Sequence, residues 1–130
     1  MQLKKRLPLV LGIFFITAGV NHFVMPSFYL PLIPDYLPYK GTINWVSGLV
    51  EVAIGIGLLW PATRRISGWA MSVLMVLFIP SHVHFIVIGS CVMEGLCVPE
   101  WVAWLRLVII HPLLILLGVW VGRGATPKSL

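Results

Sequence analysis

The sequence predicts an all-α integral membrane protein: a four-helix bundle with both termini in the cytoplasm and a proline-rich external loop between helices one and two. Three observations predict it. Of 130 residues, 59% are hydrophobic and 10% charged, and a mean hydropathy of +1.00 leaves too little polar surface to cover a water-soluble domain of this length. Four apolar runs each approach the roughly 20 residues that a helix rising about 1.5 Å per residue needs to cross a hydrocarbon core of about 30 Å. Lysine and arginine collect on one side of those runs. The length fits a single transmembrane domain over residues 1–130, and no internal repeat is visible.

The first run is Pro8 to Met25, with proline at a tolerated helix start. Ile43 to Trp60 is the second and Ile66 to Gly89 the third, joined by the short polar link PATRR; Trp101 to Val121 is the fourth. Lipid offers the backbone no hydrogen-bond partners, so these runs are expected to be helices despite their glycines and prolines. Lys4, Lys5 and Arg6 precede the first run, Arg64 and Arg65 lie between the second and third, and Arg123 and Lys128 follow the fourth. The other side has Lys40 against Asp35, Glu94 and Glu100, so the positive-inside rule places both termini in the cytoplasm. The net charge of +5 thus reads as a topology signal, not a nucleic-acid surface. A cleaved signal peptide is disfavoured because Ala18-Gly19-Val20 is a poor cleavage site.

The first external loop contains Pro26, Pro31, Pro34 and Pro38, which forbid a regular helix, and too many apolar residues to stand in water. It is expected to lie back on the bundle, with Tyr29, Tyr36 and Tyr39 in the outer headgroup region. Two roles stay open for it: an interfacial anchor, or a lid over something beneath.

Depth along the helices shows what a lid would cover. Asn21 and His22 lie near the outer surface, Glu51 about 12 Å down helix two, His82 and His84 about 7 to 11 Å down helix three, Arg106 about 8 Å and His111 about 15 Å down helix four. A charge at the bilayer centre costs about 2.5 to 3.5 kcal/mol on insertion scales, so Glu51 and Arg106 must face inward and pair with each other or with a histidine. A purely structural Glu51 to Arg106 ion pair that fixes helix packing is the plainer alternative. Ser47, Gly48, Glu51 and Gly55 form one small-residue face suited to close helix contact.

His82 and His84 are about 200° apart on a regular helix and share a face only if Pro80 disturbs that turn, where Ser81 is placed to satisfy a freed carbonyl. His-x-His is a weak metal signal without a nearby Cys or Asp to complete the set, and no metal site is assigned. Proton carrying, ligand bonding and interhelical packing all stay open for these histidines and for His111. Cys91 and Cys97 flank five residues of the second external loop, on the side where disulfides form, and a structural bridge is the leading reading over two free thiols or a redox pair.

The segments AGVNHFVMPSFYLPLIPDYLP and SGLVEVAIGIGLLWPATRRISGWAM, with an arginine in helix four, resemble the DoxX-like family of small bacterial four-span membrane proteins. The likeness covers about residues 7–85 and is looser beyond, where SHVH and His111 replace the polar residues usual in that family. It implies a four-helix membrane bundle, and relatives that include a subunit of thiosulfate:quinone oxidoreductase and a protein needed for methylamine dehydrogenase maturation.

Two functions follow. In one, Asn21, His22, Glu51, His82, Arg106 and His111 form an outward-facing polar cavity that binds a quinone or small polar molecule and handles protons within a redox-associated subunit. No flavin, haem or nucleotide motif is present, so electrons come from a membrane or periplasmic partner or from the quinone itself. In the other, the protein is a non-catalytic assembly or stability factor whose polar groups lock the bundle. Catalysis, oligomeric state and ligand identity are not encoded in any motif. Protease, kinase and DNA-binding functions lack every element they require.

Overall fold

The computed structural model describes residues 2–92 and 95–124, with side chains described from Lys5 onward. Lys128 and Glu94 of the charge pattern lie outside the described residues, as does the side chain of Lys4. The described chain is helical throughout: α1 spans Gln2–Val24, α2 is one turn at Pro26–Tyr29, α3 spans Lys40–Leu59, α4 Arg64–Leu77, α5 Ile79–Val87, α6 Glu100–Leu105 and α7 His111–Gly122. Four stretches are long and apolar enough to cross a membrane, Lys5–Val24, Lys40–Leu59, Arg64–Val87 and Glu100–Gly122, so this is a multi-pass membrane protein.

The expected spans begin and end within a few residues of these, and each difference has a cause. Pro8 sits inside α1 instead of opening it. Its missing N–H leaves unpaired only the carbonyl one turn earlier, close to the water-exposed end where water substitutes. The second span starts earlier, at Lys40, because Tyr39 adopts a left-handed conformation (φ 57°) that turns the chain sharply into the helix. The external loop is also more ordered than its prolines suggest: Pro26 occupies a first-turn position of α2, and a 3-10 turn follows at Leu30–Leu32.

The third and fourth spans are each interrupted. The α4 ladder ends at Phe78 and α5 restarts with Pro80 in its first turn, where a missing N–H costs nothing. Between α6 and α7 the backbone forms a π-helical stretch at Arg106–Ile110, with the His111 N–H bonded to the Arg106 carbonyl. Pro112 explains it, since a proline one turn on would clash with a regular α-helical carbonyl, and widening the turn removes the clash.

Two glycine-mediated pairs build the bundle. α1 packs along α3, and α4 packs along α7, while α3 and α4 meet less closely. A Cβ placed on Gly55 would lie 2.7 Å from the Gly12 carbonyl oxygen, and one on Gly48 would lie 2.9 Å from that of Gly19. The small-residue face expected on helix two is therefore met by an equally small face, seven residues apart, on helix one. In the second pair Gly68 abuts Gly118 and Gly122, and Ser72 Oγ donates to the Ile115 carbonyl at 2.8 Å.

Below this, Leu11, Phe15, Ile54, Leu58, Met71 and Val121 close the half of the bundle nearer the termini. Arg64 is 2% exposed and its Nε donates to the Leu58 carbonyl at 3.1 Å, capping the end of α3.

On the external side, Cys91 and Cys97 form a disulfide that closes a short hairpin, supported by Val92 N–H to Leu96 O and Val98 N–H to Ser90 O, both 3.0 Å. Replacing both cysteines by serine is expected to lower stability by about 2 kcal/mol through loop-closure entropy alone. Melting with and without reductant measures the loss, and hydrogen exchange in α1 and α3 should stay unchanged because the hairpin belongs to a separate apolar cluster of Leu32, Phe85, Val92 and Ala103.

Candidate functional site

Because the two pairs converge at the end that holds the termini, and the third and fourth spans are interrupted nearer the other end, a cavity of about 660 Å³ opens between the pairs. Its size is in the range of small-molecule sites. Most of its wall is aliphatic or aromatic, contributed by residues such as Ala18, Val46, Leu74 and Phe78. Five of the six expected residues line it: His22, Glu51, His82, Arg106 and His111. Asn21 does not, but its Nδ2 donates to the Tyr29 hydroxyl at 3.0 Å and so holds a residue that does.

One wall is the α1–α3 pair. Close approach at Gly19 and Gly48 brings His22 onto α3, where its Nδ1 lies 2.7 Å from Asn44 Oδ1 while Asn44 Nδ2 donates to the His22 carbonyl at 3.0 Å. That second bond fixes the amide orientation, so Oδ1 faces the ring and Nδ1 carries hydrogen. The opposite ring nitrogen, Nε2, lies 3.2 Å from Glu51 Oε2. Both groups would be acceptors if imidazole and carboxylate were each deprotonated, so the contact is attractive only with one proton between them. The pair is buried, with His22 7% and Glu51 6% exposed, and Glu51 Oε2 lacks an aligned hydrogen bond. His22 therefore lies near the end of its span, as expected, but covered.

The cover is Tyr29. Its ring stacks on His22 with centroids 3.8 Å apart, and burial pushes its phenol above the usual value, keeping it a protonated donor at neutral pH. Leu32 and Ile33 continue the cover and are themselves buried, at 8% and 6% exposed. Tyr36 and Tyr39 stand out at 75% and 81% exposure, so of the three tyrosines Tyr29 alone lines the cavity. At the rim Lys40 Nζ bonds Asp35 Oδ1 at 2.6 Å, and this hydrogen bond holds the Asp35 carboxyl below its ordinary value.

The facing wall comes from the interrupted spans. Arg106 Nε donates to His82 Nδ1 at 3.1 Å, which requires His82 to be neutral at that nitrogen and to carry its hydrogen on Nε2. His82 meets His111 edge-on at 4.4 Å, and His111 Nε2 is hydrogen-bonded to the Met75 carbonyl. His111 thus ties the last turn of α4 to the fourth span at a carbonyl that also accepts from the Phe78 N–H at 3.3 Å. His84 points elsewhere, near enough to Asp35 to act on it electrostatically, so the Pro80 break does not bring the two histidines onto one face.

The Glu51 to Arg106 ion pair does not form; each group takes a histidine instead. Among the described residues the ion pairs are His22–Glu51 and Lys40–Asp35, which leaves Arg106 with a hydrogen bond and the face of Phe85 at 5.6 Å but no carboxylate. Nor do three His, Cys, Asp or Glu side chains converge as metal ligands among the described residues.

Asn44 and the inward Tyr29 escaped the sequence reading. Asn44 had a visible signal, because residues 44, 48, 51 and 55 continue one helical stripe. Tyr29 had none, since its direction depends on the turn at Pro26.

No curated protein and no solved structure matches the chain significantly. A family model described as Domain of unknown function (DUF8561) matches residues 11–122, which include all of the cavity lining and all but the first six residues of the four spans, and the chain belongs to that family.

Proposed function

We propose that this is a DoxX-like protein of the bacterial inner membrane that binds a quinone in its outward-facing cavity, as the membrane subunit of a redox system. The observation that carries this reading is Arg106. A guanidinium in a membrane span without a carboxylate partner is costly, and its remaining donors, with His82 Nε2–H and the Tyr29 hydroxyl, surround the same apolar cavity. Such a set suits a neutral planar ligand with carbonyl acceptors.

Orientation supports it. Lys5, Arg6, Arg64, Arg65 and Arg123 lie at the end of the bundle away from the cavity, and by the positive-inside rule this favours a cavity toward the external face. The His22–Glu51 pair, which can hold one proton, stands at the cavity wall beside the place for a quinone head, and electrons would come from a partner protein.

A second reading has its own support. The His22–Asn44–Glu51 network is built into the α1–α3 contact and suits a non-catalytic assembly factor whose polar groups lock helix packing. Native mass spectrometry with lipid extraction separates the two, applied to wild type, Glu51→Gln and His82→Ala matched for helicity and melting. The quinone reading predicts a quinone on wild type and its loss from well-folded variants. Empty wild type with variants that fail to accumulate favours the locking role.

A further inference from the structure

Resting on the quinone reading, we infer that the ligand reaches the cavity sideways from the outer leaflet, between α3 and the break joining α4 to α5, and leaves a hydrocarbon tail in that cleft. The water side is closed, because Tyr29, Leu32 and Ile33 lie over the cavity and the last two are almost fully buried. The lipid side is not. Val46 and Val50 of α3 and Leu77 of α4 line the cavity and are also 51%, 37% and 66% exposed on the flank of the bundle. A residue that does both stands at a rim.

The local structure explains the gap. α3 packs on α4 but makes little contact with α5, because the α4 ladder stops at Phe78 and Pro80 begins a new helix. Apart from Leu77, the side chains lining the cleft are small or β-branched: Ser47, Val46 and Val50 of α3, and Pro80 and Ser81 of α5. On the flank between α1 and the fourth span, Phe14 and Ile110 also line the cavity and are 53% and 44% exposed, and their side chains are bulkier than those valines and serines.

Size and chemistry select the ligand class. A cavity of about 660 Å³ holds a quinone head with a few carbons, so a long prenyl tail must project outward. The exposed rim is uncharged, which suits hydrocarbon and gives a water-soluble ligand no polar path. The occupant is thus a tailed, membrane-dissolved quinone with its head toward Arg106 and His82.

The test uses the full chain in phosphatidylcholine nanodiscs loaded with decylubiquinone or with its tail-less parent, 2,3-dimethoxy-5-methylbenzoquinone, at equal concentrations in the bilayer. Bound quinone is counted by native mass spectrometry. Wild type is expected to hold the tailed quinone at least tenfold more tightly. Val50→Trp with Leu77→Trp should reduce its occupancy at least tenfold, more than Ile110→Trp on the other flank does, and Val73→Trp, exposed on α4 outside the cavity lining, should change the binding of neither quinone. If the double variant does not fold, Val50→Phe alone tests the same cleft.

Equal binding of both quinones, unaffected by the cleft variants, overturns lateral access and leaves the quinone reading standing. Loss through Ile110→Trp instead of the cleft pair overturns the assigned route. Binding of neither quinone to folded wild type, or a retained phospholipid that decylubiquinone cannot displace, overturns the quinone reading and this inference together.

Discussion

Gly55→Leu is expected to prevent the bundle from forming, because a Cβ at this position already lies 2.7 Å from the Gly12 carbonyl oxygen and from Ile16 Cγ1, and 2.8 Å from the Ile16 backbone nitrogen. Two of these three neighbours are backbone, so no side-chain rotation relieves the clash. α1 must move away from α3, and with it the close packing that drives helix association in lipid, where the hydrophobic effect gives no help. Overpacking a core by one or a few methylenes costs about 1–3 kcal/mol. Gly55→Ala should fall in that range, and leucine should exceed it, which is a large share of a total stability of about 5–15 kcal/mol.

The control is Gly41→Ala. Gly41 lies in the first turn of the same helix and a Cβ there meets nothing within 4 Å, so alanine should be neutral or stabilise by up to about 1 kcal/mol through helix propensity. Denaturation of the three variants in detergent, followed by helicity, checks the order. Equal tolerance of alanine at positions 41 and 55 would mean that the α1–α3 contact is not formed as described.

Arg106→Met is expected to separate folding from binding. The substitution removes a cation from the membrane interior, a gain of up to about 2.5–3.5 kcal/mol at the bilayer centre and less at this depth. It also removes the hydrogen bond to His82, about 1.5–3 kcal/mol for a charged donor, and the contact with Phe85, about 0.5–2 kcal/mol. These terms oppose each other, so the net loss of stability should be no more than about 2 kcal/mol. Affinity should not be spared. Loss of a charge-assisted hydrogen bond to a quinone carbonyl costs about 1.5–3 kcal/mol, which is roughly a 10- to 150-fold weaker complex. If Arg106 served only to hold α6 and α7 in place, the variant would instead melt early.

The four spans were legible because a bilayer demands long apolar helices and composition alone meets that demand. Their ends were less so, since Pro8 and Tyr39 act through local backbone geometry that hydropathy does not register. The cavity residues were largely legible as well. Charged and imidazole groups at membrane depth are too costly to leave facing lipid, which singled out His22, Glu51, His82, Arg106 and His111.

Their partners were not legible, because partnership depends on helix register. The Gly12–Gly55 and Gly19–Gly48 contacts set α1 against α3 so that His22 meets Glu51 and Asn44. Those two glycines of helix one, seven residues apart, were the unused signal. The π-helical turn was likewise implicit in His111-Pro112, yet its effect on where Arg106 and His111 point emerges only from the packed backbone.

The most direct test of the account is whether a quinone binds through Arg106. Decylubiquinone should raise the melting temperature of wild type in nanodiscs in proportion to its concentration, as ligand linkage requires, and should leave that of folded Arg106→Met unchanged. An equal rise in both proteins, or no rise in folded wild type, would contradict a quinone held by Arg106 in the outer cavity.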